Sequence, residues 1–147
     1  MRRPPRASDQ PLFASALIGW SVLQGAIALV LVGAIFVIAS SRGMPATEVP
    51  ALTFFSLVLS IASLIFVNRA FSASLVAAVT RPNAALVWVL LAVAAILSLT
   101  LLWPLASGSF GFGPLHADDI AVTFGAAVLL LMSLELMKPH WRARLRA

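Results

Sequence analysis

Four stretches of the chain are apolar all round, and polar or charged residues bound each of them. They cover residues 17–39, 49–67, 84–103 and 120–137. A helix needs about 20 mostly apolar residues to cross a bilayer, so each stretch predicts a transmembrane helix. The first closes at Ser40-Ser41-Arg42-Gly43. In the second, Pro50 falls in the first turn, where a missing N–H costs nothing, and the run stops at Asn68-Arg69. The third is opened by Asn83, a good N-cap, and stopped by Pro104. The fourth is opened by Asp118-Asp119 and ended by Lys138-Pro139. Helix is the default because lipid offers the backbone no hydrogen-bond partner. In a soluble fold, four helices without a polar face could not cover one another. The pattern predicts an all-α membrane protein: a basic arm over 1–16, a four-helix domain over 17–137 and a basic tail over 138–147. Two connections have some character. Phe71 to Val79 is mildly apolar and suits the membrane surface, and Pro104 to Pro114, with three glycines, reads as an irregular outer loop.

Composition sharpens this picture. Of 147 residues, 61% are apolar and only 10% charged, against about 25% charged in soluble domains. No charge occurs between Asp9 and Arg42, or between Arg81 and Asp118. The net charge of +5 does not indicate nucleic acid, because the basic residues sit in short segments between apolar runs. They read as topology signals beside an anionic lipid surface. The N-terminal arm has Arg2, Arg3 and Arg6, the middle loop Arg69 and Arg81, and the tail Lys138, Arg142, Arg144 and Arg146. Nine of the ten basic residues thus fall on one side, and the other side holds Arg42 with Glu48, Asp118 and Asp119. That split places both termini in the cytoplasm, with the plasma (inner) membrane as the expected location. Trp20, Trp88, Trp103 and Trp141 fall at or near helix ends, where interfacial aromatics belong. The first apolar run exceeds the ~7–15 residues of a signal peptide core, and the prolines after Arg2-Arg3 do not suit a twin-arginine signal. The absence of cysteine excludes disulfides and thiolate metal sites.

Little in the sequence carries chemistry. Thr53, Ser56, Ser60 and Ser63 are spaced by 3, 4 and 3, which sets them on one helical face. That face fits an ion path or a packing seam. It fits better the ordinary use of hydroxyls as packing glue and helix back-bonders, since no acid accompanies them. Glu135 can reach Lys138 one turn on, a local ion pair. His116 with Asp118 and Asp119 resembles a fragment of a metal site, lacking a fourth ligand. The two acids are also explained as helix N-terminal charges facing the dipole. His140 lies in the basic tail beside Trp141 and suggests nothing catalytic. No phosphate loop, nucleophile elbow or HExxH is present, nor a carboxylate pair placed for acid–base work. No catalytic residue, cofactor or metal is expected, and no enzyme activity for this chain alone.

The order of landmarks resembles the C-terminal transmembrane region of P-type cation-transporting ATPases, most like the calcium-pump branch. Met1-Arg2-Arg3-Pro4-Pro5-Arg6 and Asp9-Gln10-Pro11-Leu12-Phe13 are similar to the segment that follows the pumps' sixth helix. Gln24-Gly25 would lie in the seventh helix. Leu52-Thr53-Phe54-Phe55 would open the eighth, and Asn68-Arg69-Ala70-Phe71-Ser72 would follow it. Pro82-Asn83 precedes the presumed ninth. Trp103-Pro104-Leu105 and Phe110-Gly111-Phe112-Gly113-Pro114-Leu115 resemble the outer loop after it, and Leu134 to Lys138 the end of the tenth. The resemblance implies a part in ATP-driven ion pumping through an aspartyl phosphate. The chain has no Asp-Lys-Thr-Gly motif and none of the nucleotide-binding or actuator domains. In calcium pumps the eighth helix can add an acidic ligand, but around Ile61 to Leu64 this chain offers only Ser60 and Ser63.

The leading expectation is a C-terminal four-helix module of such a pump, on a separate or truncated chain. It would brace the ion-translocating helices, with the lipid bilayer and the pump's N-terminal part as partners. The alternative is a stand-alone four-helix membrane protein that assembles with or regulates another complex. Gly19, Gly25 and Gly33 permit close helix contact, although no clean GxxxG is present. A small membrane-embedded hydrolase or transferase ranks last.

Overall fold

The computed structural model describes residues 15–69 and 84–146. Five helices appear among them: α1 (Ser15–Ser41), α2 (Glu48–Arg69), α3 (Ala84–Leu102), α4 (Pro104–Phe110) and α5 (Ala117–Arg146). No strand occurs among the described residues. The Met1–Arg6 landmark, the Phe71–Val79 stretch and Asn83 lie outside them. Three helices, α1, α2 and α5, are individually long and apolar enough to cross a membrane, and α3 with α4 gives a fourth span if the bent pair is counted as one.

The termini of α1 and α2 follow from local chemistry. Gly43 takes a left-handed φ of 74°, a conformation that glycine adopts at no steric cost. Met44 N–H then reaches back to the Ala39 carbonyl at 3.2 Å, and Gly43 N–H to that of Ser40 at 3.2 Å, closing α1 in a left-handed cap. Pro45 accepts the first bonds of α2, from the N–H groups of Glu48 and Val49.

α1, α2 and α5 pack into a three-helix core. At one end, Trp20 of α1, Val67 of α2 and Leu130 and Leu134 of α5 form a buried cluster, with Trp141 packed against it. At the other end, Ala39 of α1 meets Val49 and Leu52 of α2, with Leu115 just before α5. α2 and α5 therefore run in the same direction, and α1 runs against both. The outward surfaces stay apolar: Leu29 is 74% exposed and Val30 72%. Such surface is costly in water and ordinary in lipid.

α3 stands at the side of this core. Val89, Leu90 and Val93 face Val58, Ile61 and Ile65 of α2, but only Leu97 and Thr100 of α3 are buried among the described residues. Its end is dictated by Pro104. A residue before proline is driven out of the α region, and Trp103 sits at φ −94°, ψ 113°. The helix stops at Leu102, the axis turns by 87°, and Pro104 starts α4, a position proline suits.

Two sequence expectations change here. The segment from Pro104 to Pro114 is not irregular throughout, because its first half is α4. That helix ends at Gly111, at φ 66°, with Phe112 N–H bonded to the Ser107 carbonyl at 2.8 Å. The last helix does not stop at Lys138-Pro139 but runs on to Arg146, with Pro139 inside it. Proline there removes one backbone bond, yet Trp141 beyond it packs on Trp20, ring centroids 5.6 Å apart. A Cβ on Gly19 would stand 3.5 Å from the Trp141 ring. This contact with α1 holds the extra turns in helical form.

Candidate functional site

Polar groups concentrate at three levels of the core. Midway, α2 presents the predicted hydroxyl face. Ser56 and Ser60 are each 1% exposed, Ser63 is also buried, and Thr53 is half-buried. Thr53 Oγ1 donates to the Val49 carbonyl at 2.8 Å, the usual back-bond of a helical threonine. Ser63 Oγ lies 3.0 Å from the Leu59 carbonyl and 3.1 Å from that of Ala127 on α5. Its single proton is shared between its own helix and the neighbour. Ser56 Oγ and Ser60 Oγ are buried with no partner, although a serine hydroxyl can turn to the carbonyl one turn back. No carboxylate joins this face among the described residues.

Three further buried polar residues were not singled out as intramembrane polar groups from the sequence, one of them Thr100 of α3, which bonds its own helix at Ile96 O, 2.7 Å away. Thr123 of α5 is 1% exposed and bonds its own helix at Ile120 O, 2.8 Å away. Gln24 of α1 is 3% exposed, and its Nε2 has no partner. The signal for Gln24 was present, since it is the lone amide in an apolar run. What the sequence lacked was the side of α1 that turns inward.

At the Trp141 end, Lys138 and Glu135 form the expected ion pair. The lysine side chain is 2% exposed and the glutamate 24%, so the pair is anchored in the bundle. The ends of α2 and α5 that carry Arg69, Arg142, Arg144 and Arg146 lie at this same end, making it the basic end.

At the opposite, acidic end, the chain enters α5 through His116. Asp119 accepts the His116 backbone N–H at 3.0 Å, which is half of a capping box. Asp118 is exposed and stands with Arg42 along one cleft. Glu48, from the start of α2, converges on His116 and Asp119. The grouping of His116 with both aspartates is thus replaced by one with Asp119 and Glu48, a residue some 70 positions away that no local spacing links to the histidine. Nearby, Phe54 of α2 packs on Phe112 at 5.3 Å and on Phe110 at 6.4 Å. Two landmark segments of the sequence, Leu52–Phe55 and Phe110–Leu115, are thereby brought into contact.

Among the described residues this arrangement has apolar outer faces, a hydroxyl seam and charge confined to the two ends. The family model described as cation transporting ATPase, C-terminus matches residues 1–139. Comparison with curated proteins and with solved structures gives no match. With nearly the whole chain matched and an all-helical, membrane-spanning fold, the protein belongs to the family of cation-transporting ATPase C-terminal regions.

Proposed function

We propose that the chain serves as the C-terminal transmembrane module of a P-type cation pump, bracing the ion-translocating helices and inactive by itself. The family match over residues 1–139 carries this reading. The polar interior supports a structural role. Ser63 spends its hydroxyl on carbonyls of α2 and α5, as packing glue does, and no acid accompanies the seam among the described residues. The calcium-pump branch is favoured by the order of landmarks from Arg2 to Lys138. The basic end, with both termini, faces the cytoplasm by the distribution of Lys and Arg. The partners are the bilayer and the N-terminal part of a pump.

The test is complementation. A calcium-type P-type pump truncated after its sixth helix is expressed in vesicles with and without this chain. Restored ATP-driven cation uptake, with co-purification of the two, is the expected result. Failure to associate with such cores, together with a stable homo-oligomer, would instead identify a stand-alone membrane protein.

A further inference from the structure

Glu48 opens α2, while His116 and Asp119 open α5. A ligand atom from each, two carboxylate oxygens and one ring nitrogen, all lie within 4.8 Å of one another. His116 Nδ1 is 3.6 Å from Asp119 Oδ2. The segments are held together by backbone. Gly113 N–H donates to the Thr47 carbonyl at 2.8 Å. The approach is so close that a Cβ at 113 would stand 2.7 Å from Thr47 Oγ1 and 2.9 Å from Glu48 Cγ. The loop before α5 is thereby seated on the start of α2, and His116 is delivered to Glu48.

A helix dipole accounts for an acid in the first turn of each helix. It does not account for an imidazole between them. The local charge favours a cation: Glu48, Asp118 and Asp119 stand against Arg42 alone in this cluster and its adjoining cleft. We propose that Glu48, His116 and Asp119 form a binding site for a transition-metal dication of the zinc class at the acidic end of the bundle. One nitrogen and two carboxylates are the donors such ions accept, whereas calcium and magnesium prefer all-oxygen shells of six or more. In a tetrahedral zinc shell two donor atoms stand about 3.4 Å apart. From within 4.8 Å of one another the groups close by up to about 1.4 Å, a movement that turning the His116 side chain, 69% exposed, can supply. Water completes the shell. The ion would pin the start of α5 to the start of α2.

The experiment uses the full chain in detergent, purified without a polyhistidine tag and titrated with zinc chloride by calorimetry. Saturable binding of one ion per chain is expected. Glu48→Gln, at a half-buried position, and His116→Ala, at an exposed one, should each weaken it by at least about tenfold, the lower bound for losing even an outer-shell partner. His140→Ala, the other histidine, should bind as the parent does. A tenfold excess of calcium should not displace the zinc. No saturable binding, binding unchanged in either ligand variant, or displacement by calcium would overturn the proposal.

Discussion

Gln24 is the residue least at peace with its surroundings. Its amide is 3% exposed and its Nε2 meets no acceptor, in a region where neither lipid nor apolar side chains can accept. A buried donor left unsatisfied costs about 1–3 kcal/mol. Gln24→Met keeps the length of the side chain and removes that cost. The isolated chain should therefore gain about 1 kcal/mol or more, read as a higher unfolding midpoint in detergent. In the complementation assay the same variant should transport less if the amide meets a carbonyl of the pump core. A loss of stability in the isolated chain would mean that Gln24 bonds within the bundle. Ser63 is the opposite case, since its hydroxyl reaches two carbonyls at once. The spacing of the four hydroxyl residues was enough to set them on one face. It could not say which of them would bridge to another helix, because that depends on where α5 lies.

At the scale of the element, proline and glycine act as punctuation. Pro104 ends α3 through its effect on Trp103 and begins α4 through its own fixed φ. The stop was legible in the sequence. The short helix after it was not, because seven residues carry too little periodicity to register. Pro139 shows the reverse, a strong local stop overridden by packing of Trp141 on Trp20 and Gly19. Gly113 matters for a different reason, since it permits contact between α2 and the loop before α5. Gly113→Ala should cost about 1–3 kcal/mol, the usual range for overpacking, in the same unfolding assay. A variant as stable as the parent would mean that the Thr47 side chain simply rotates away.

For the whole molecule, the decisive question is which end faces the cytoplasm. The chain has no cysteine, so single cysteines report without background. Ser109 lies exposed on α4 near the acidic end, and His140 lies exposed at the basic end. In intact cells a membrane-impermeant maleimide should label Ser109→Cys, and His140→Cys only after permeabilisation. The reverse pattern would invert the orientation.

Composition and apolar run length alone determined that this protein lives in a membrane as helices, because burying backbone polar groups in lipid leaves few other choices. Landmark order along the chain carried the family. Tertiary structure decided the rest. It chose which face of each helix turns inward, bringing Gln24 and Thr123 into the interior. It carried α5 past a proline. It set Glu48 beside His116 and Asp119. Each of these depends on contact between residues distant in the chain. An all-round apolar helix carries no stripe to announce which neighbour it will meet.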